Sequence, residues 1–130
     1  MKQVFILRES ENKIQNANDL FKRIVKVKID FKQENLILIC FNGRNDIIKS
    51  EVLFIGGLDS SVCDPKVIFR KALECNASKI VISHNHPSGN LRPSSEDLRV
   101  MNVIKKAGEM MGIGLMDFII FNKEEFYSCP

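Results

Sequence analysis

The sequence predicts an α/β or α+β domain in which one β-sheet is covered by helices. Short stretches rich in apolar residues, such as 36–41 and 79–83, have the length of buried strands. Helix-start signals alternate with these runs, notably Asp64-Pro65 and Ser94. The 130 residues suit a single domain, predicted over residues 1–130, and are enough to bury a core without a disulfide framework.

In the N-terminal half we predict a short strand, a helix and a hairpin. The strand is Val4–Leu7, a polar loop follows at 9–15, and Asn16 caps a helix at about 18–27. The apolar face of that helix comprises Leu20, Phe21, Ile24 and Val25. The run LILICF at 36–41 is a buried strand, and the turn NGRN at 42–45 joins it in a hairpin to a strand at about 47–55.

In the C-terminal half two helices alternate with two strands. The first helix starts at Asp64-Pro65, and its apolar positions are Val67, Ile68, Ala72 and Leu73. The run KIVIS at 79–83 is a strand, and LMDFIIF at 115–121 is the last one. Between them Ser94 opens a helix at about 95–111, which Gly112 and Gly114 terminate. The core candidates of that helix are Leu98, Met101, Ile104 and Met111.

The amino-acid composition bears on the cellular compartment and on the binding partners expected for this protein. No apolar run approaches the roughly 20 residues of a membrane span, and the N-terminus lacks a signal-peptide core, so we expect a cytoplasmic protein. The four cysteines form no CxxC pair, which argues against a structural zinc knuckle, and Cys40 and Cys75 are expected to be buried apolar side chains. The net charge of +3 neither demands nor excludes a polyanionic partner.

Residues 83–97, SHNHPSGNLRPSSED, contain both histidines of the chain. Positions i and i+2 of a strand share a face, so His84 and His86 are expected to point the same way. Imidazole is a common zinc ligand, and Asp97 in the first turn of the next helix can supply a third. Three protein ligands are typical of catalytic zinc. Ser94 and Asp97 alone, however, also have the spacing of a helix capping box.

The pattern His84-x-His86-Pro87, followed by Ser94 and Asp97, resembles the JAMM signature of the MPN+ metallopeptidases. The string HNHPSG resembles the RadC branch in particular, and the similarity extends over about residues 14–128 through QENLILICFN, FIGGLDSSVCDPKVIFRKAL and GIGLMDFIIF. The resemblance implies an MPN/JAB-like mixed sheet flanked by helices, with cytidine-deaminase-like layers. RadC proteins usually carry a further N-terminal helix-hairpin-helix region, which this chain is expected to lack.

The resemblance also implies a role for each site residue. His84, His86 and Asp97 would bind one Zn²⁺ per chain, with a water in the fourth position, and Ser94 would hydrogen-bond the oxyanion or position the water. JAMM chemistry needs a glutamate as proton carrier, and Glu34, directly before an apolar strand, fits that place. Two rivals are Glu51, which precedes VLFIGG, and Glu74, which is expected to face solvent late in a helix.

Two segments depart from the RadC pattern. Phe118 stands where these chains usually have a histidine that is not a zinc ligand, and Asp64-Pro65-Lys66-Val67 stands where they usually read HPRE. Zinc binding is expected to survive the first change, and a family-specific contact is expected to be lost. Any function of the second segment is placed in doubt.

Three functions compete at this point. The leading one is a JAMM-type zinc hydrolase that cleaves a peptide or isopeptide bond in a peptide or protein substrate. The second is a DNA-repair-associated module, for which we expect at most weak, salt-sensitive binding, since solvated helix residues also explain the basic cluster at 22–28. The third is a non-catalytic zinc-binding interaction module. The sequence leaves the oligomeric state open, a homo-oligomer included.

Overall fold

Strands that are buried on both faces form the centre of the fold. In the computed structural model, which describes residues 3–5, 14–56 and 63–129, β2 (Asn35–Phe41) is buried along its whole length. β4 (Lys79–Asn85) is buried everywhere except at its first residue. The continuous apolar runs at 36–41 in β2 and 80–82 in β4 therefore reflect a sheet that is covered on both sides.

The described strands form one mixed six-stranded sheet. The other four are β1 (Gln3–Phe5), β3 (Ile47–Ile55), β5 (Gly114–Phe121) and β6 (Phe126–Ser128), and the order is β1-β3-β2-β4-β5-β6. β4 and β5 pair in parallel, and each of the other neighbouring pairs is antiparallel. His84 lies near the end of the central strand β4, opposite Leu36 on β2 and Ile120 on β5.

Helices cover the sheet on both faces. α1 (Ala17–Ile24) packs on one face, where Leu20 and Ile24 contact the odd-numbered residues of β2. α2 (Pro65–Glu74) and α3 (Ser95–Met111) pack on the other face against the even-numbered residues. The alternation of strand side chains thus supplies two separate apolar cores, in agreement with the predicted layered α/β architecture.

The predicted elements are confirmed, with shifts at their ends. Asn16 caps α1, which ends at Ile24 although Val27 is still buried. β4 extends two residues beyond the predicted 79–83. β1 is Gln3–Phe5, and the last two residues of the predicted strand Val4–Leu7 lie outside the described ranges. β6 was not predicted, because a three-residue strand carries too little pattern to be read from sequence.

The apolar faces of the last two helices were predicted only in part. Ile68, Ala72 and Ile104 are buried, but Leu73, Leu98 and Met111 are 54%, 47% and 45% exposed. The buried face of α3 instead comprises Asp97, Val100, Ile104 and Gly108. Because this face contains a polar residue and a glycine, the periodicity of apolar residues does not indicate it.

Cys40 is buried as predicted, whereas Cys75 is only half-buried. Among the described residues, no helix combines the length and the apolar character that crossing a membrane requires.

Candidate metal centre

The end of β4 delivers the two histidines to one place. His84 is fully buried within the strand, and its ring faces α3 because it pairs with Leu36, which packs in the core on that side. His86 follows directly after the strand and is partly exposed. The ring centroids of the two histidines are 4.9 Å apart, so they share a face as the sequence predicted.

The first turn of α3 brings Asp97 against both rings. Ser94 caps this helix: its Oγ accepts the Asp97 N–H at 3.0 Å, and the Asp97 carboxylate accepts the Ser94 N–H at 2.8 Å. The capping box is therefore present, and it fixes the carboxylate of Asp97, a residue that is 2% exposed. Oδ1 of Asp97 lies 3.1 Å from Nε2 of His84, and Oδ2 lies 2.9 Å from Nε2 of His86.

The opposite nitrogen of each ring contacts an acceptor. Nδ1 of His86 lies 2.6 Å from the carbonyl oxygen of Asn90, and Nδ1 of His84 lies 3.0 Å from Oε1 of Glu34. A carbonyl or an ionised carboxylate can only accept, so a neutral ring that keeps the Nδ1 contact carries its hydrogen on Nδ1, although Nε2 of His86 also lies within hydrogen-bond distance of Oδ2 of Asp97. Both Nε2 lone pairs then face Asp97, the arrangement by which outer partners orient metal-binding histidines.

Three electron-rich groups thus converge on one point. Nε2 of His84 is buried and, although close to Asp97, has no hydrogen-bond partner of suitable direction among the described residues. Burial lowers the pKa of His84, but the contacts with the Asp97 and Glu34 carboxylates outweigh it and raise that pKa. Burial would raise the pKa of Asp97, but the contacts with His84 and the Ser94 backbone lower it well below its usual range. The cluster therefore favours a positive charge, either a proton or a metal ion.

The donor set suits a metal ion of intermediate softness. Glu34, His84, His86 and Asp97 each offer one donor atom, and these atoms all lie within 4.8 Å of one another. Imidazole nitrogens with carboxylate oxygen are ligands that zinc accepts. The structure thus brings together the three predicted ligands.

Of the three candidate glutamates, Glu34 is the one that contacts this centre. It directly precedes β2 and contacts His84 across 50 positions of sequence. Glu51 lies within β3 between Lys49 and Lys71. Glu74 is exposed at the end of α2, as expected.

Phe118 lies against the back of the centre. Its ring is 1% exposed, and its centroid is 5.3 Å from that of His84 in an edge-on contact. An apolar ring therefore shields His84 from solvent on this side. Asp64, in the other departing segment, caps α2 by accepting the N–H of Lys66 at 2.9 Å.

Two cavities open at the centre. One of about 370 Å³ is lined by Glu34, Ser94, Asp97 and the loop of His86, and Ser94 is exposed in it. A larger one of about 810 Å³ lies between residues 29–32, 86–89 and 122–124. His86 and Ser88 line both, so the two cavities meet beside the histidines.

Sequence reasoning missed a buried asparagine pair behind the centre. Asn35 and Asn85 are 2% and 0% exposed and hydrogen-bond to each other. The available signal was that each lies at the end of a strongly apolar run, where a buried amide needs specific partners.

Known proteins resemble this chain over most of its length. The family described as RadC-like JAB domain matches residues 14–130. A UPF0758 protein of Clostridium botulinum is 43% identical over 116 residues, which cover 89% of this chain and 51% of the relative. UPF0758 proteins of Enterococcus faecalis and Chlorobium chlorochromatii are both 37% identical, over 89% and 93% of this chain and 50% and 54% of theirs. The chain spans about half the length of these curated relatives.

Proposed function

The chain belongs to the RadC-like JAB domain family, and from this premise we propose that it is a JAMM-type zinc hydrolase that cleaves a peptide or isopeptide bond. The observation that carries the proposal is the convergence of the two Nε2 atoms on Asp97. One of these nitrogens is buried without a hydrogen-bond partner among the described residues, and both rings are oriented from behind. Partners of this kind on the opposite ring nitrogen are typical of metal-binding histidines.

His84, His86 and Asp97 would hold the zinc ion. When bound, zinc supplies a Lewis acid that polarises a carbonyl and makes water nucleophilic near neutral pH. The Asn90 carbonyl and the Glu34 carboxylate would keep the two rings in the tautomer that presents Nε2. Phe118 would exclude water from the rear of His84.

Glu34 would take a proton from the attacking water and deliver it to the leaving amine. Its carboxylate lies at the wall of the smaller cavity and is partly exposed, unlike that of Asp97. A carboxylate has lone pairs on two oxygens, so accepting the His84 N–H does not exhaust it. Transfer of a proton by a group in this position typically contributes about 10²- to 10⁴-fold to the rate.

Ser94 would donate a hydrogen bond to the oxygen that gains negative charge. In the capping box its Oγ is the acceptor, so that contact does not use the hydroxyl hydrogen. Capping and catalysis are therefore compatible in one residue.

A polypeptide would approach along the larger cavity. This cavity adjoins the centre at His86 and has an apolar wall at Ile29 and Phe31. The ring of Phe31 makes an edge-on contact with Phe121, at 6.0 Å between centroids. The Lys123 ammonium lies 5.4 Å from the centroid of the Phe31 ring. The wall therefore has a fixed shape on which a substrate side chain would pack.

The test is the metal content of the purified protein after zinc loading. We expect one zinc per chain in the wild type and a loss in Asp97→Ala that exceeds the roughly 10- to 100-fold decrease in affinity typical of a missing outer partner. Asp64→Ala is the matched control, since it also removes a helix-capping carboxylate, at a cost of about 1 kcal/mol, but does so in α2. A wild type that holds no zinc would refute the proposal.

A further inference from the structure

We propose that Asn85 is a positioning residue, which acts from the reverse face of the sheet to hold Glu34 on Nδ1 of His84. The inference rests on the proposed function, because it assigns a role toward the same metal centre. It concerns a residue whose side chain hydrogen-bonds to Asn35 and Gln33 and that lies between the two histidines in sequence.

The alternation of β-strand side chains separates two pairs of residues. Leu36 packs in the core beneath α2 and α3, and Ile37 packs in the core beneath α1. Glu34 and His84 belong to the first side, where they contact each other. Asn35 and Asn85 belong to the second side, since neighbouring residues of a strand point to opposite faces. The metal centre therefore has a polar pair directly behind it.

Asn85 extends the pairing of β2 with β4 beyond its last residue pair. That pair is Leu36 with His84. Beyond it, the side-chain Oδ1 of Asn85 accepts the backbone N–H of Asn35 at 2.8 Å. The side-chain Nδ2 of Asn85 donates to the carbonyl oxygen of Gln33 at 2.9 Å. One side chain thus binds the backbone on both sides of Glu34.

Asn35 completes the arrangement within the loop itself. Its Nδ2 donates to the carbonyl oxygens of Asp30 and Gln33 at 2.9 and 3.0 Å and also lies 3.2 Å from Oδ1 of Asn85. On the other edge of β2, the N–H of Gly56 donates to the carbonyl of Glu34 at 2.7 Å. The backbone that carries Glu34 is therefore fixed from three directions.

The chemistry of the position explains why it holds asparagine. The two contacts need one acceptor and one donor on a short side chain, and an amide offers both. Aspartate would retain the acceptor but place a carboxylate against the Gln33 carbonyl. An apolar residue would leave the N–H of the buried Asn35 without this acceptor, and the Gln33 carbonyl would keep only the Nδ2 group of Asn35.

The first experiment is nitrogen-15 NMR of the imidazole rings in zinc-free protein, which is simple because the chain has two histidines. In the wild type we expect the hydrogen of His84, when neutral, on Nδ1. In Asn85→Ala we expect His84 to lose this preference while His86, held by Asn90, keeps it. Ser83→Ala is the matched control: Ser83 is equally buried on the same strand, but its hydroxyl has no hydrogen-bond partner among the described residues.

The second experiment is zinc affinity by competition with a chromogenic chelator. We expect Asn85→Ala to bind zinc about tenfold more weakly and Ser83→Ala to stay within about twofold of the wild type. In a Glu34→Ala background the Asn85→Ala change should have almost no further effect, since it acts through Glu34. A purely structural role would instead give the same loss in both backgrounds.

Two results would overturn the inference: an unchanged His84 tautomer in Asn85→Ala, or an equal loss of affinity with and without Glu34. Should Asn85→Ala fail to fold, Asn85→Asp serves in its place, because it keeps the contact with the Asn35 N–H and loses the one with Gln33. We expect the same change at His84. Absence of zinc from the wild type would refute the proposed function, whereas the tautomer measurement still decides the role of Asn85.

Discussion

Two carboxylates of this protein are equally buried but lie in opposite surroundings. Asp97 is 2% exposed and faces two imidazole rings, while Glu51 is 3% exposed and lies 3.8 and 3.6 Å from the ammonium groups of Lys49 and Lys71. Lysine is a permanent cation near neutral pH, so the chain itself compensates Glu51. Imidazole is charged only when protonated, so Asp97 is compensated by a proton or by a metal ion. The difference supports the proposed role of Asp97 in a binding site and assigns Glu51 to the packing of the sheet.

The comparison is tested most sharply by removing the charge of a glutamate at the centre, Glu34, and that of the glutamate within the packing, Glu51. We expect Glu34→Gln to keep the fold and the zinc but to lower hydrolysis by about 10²- to 10⁴-fold, since the amide cannot accept the proton. Turnover of a peptide substrate that the wild type cleaves is the measurement.

Glu51→Gln is the control for that experiment. It should leave turnover near the wild-type value and lower the free energy of unfolding by about 1–3 kcal/mol, because it removes the charge between Lys49 and Lys71. If Glu51→Gln is inactive and Glu34→Gln is active, Glu51 and not Glu34 is the proton carrier.

Ser94 tests whether the capping box next to Asp97 is also catalytic. Ser94→Asp keeps an excellent cap but places a negative charge beside the developing oxyanion, so we expect about a hundredfold loss of rate with zinc still bound. Ser94→Ala should show a similar loss of rate and, in addition, about 1 kcal/mol lower stability. Rate, zinc content and thermal unfolding measured together separate the roles. An active Ser94→Asp protein would leave Ser94 as a cap alone.

The smallest expected effect is the pH dependence of the zinc-free protein. The lowered pKa of Asp97 contributes stability that is present above its ordinary value of 3.8 and is lost as the pH falls through the folded-state value. The raised pKa of His84 contributes stability that is complete below 6.5 and is lost as the pH rises through its folded-state value. His84 and Asp97 together therefore contribute most to the stability of the zinc-free protein between pH 3.8 and pH 6.5.

Thermal unfolding across this range checks that prediction. Zinc should move the optimum to higher pH, because the metal competes with protons for the imidazoles. Asp97→Asn should flatten the acid side of the profile. A profile of the same shape in Asp97→Asn and the wild type would contradict the assignment.

The sequence by itself determined the layered fold and the proposed ligand set. Continuous apolar runs mark strands that are buried on both faces, and Asn16, Asp64 and Ser94 mark helix starts through local capping chemistry. His84, His86 and Asp97 are close in sequence, so a strand, a turn and one helical turn are enough to bring them together.

The sequence favoured Glu34 among three glutamates, but only the tertiary structure brings this acid and the two amides to that site. Glu34 and Asn35 lie 50 positions before their partners, His84 and Asn85, and they meet only because β2 pairs with β4 in one particular register. The buried face of α3, with Asp97 on it, likewise depends on where the helix docks. Local sequence encodes periodicity and caps, whereas the register between distant strands depends on the packing of the whole sheet.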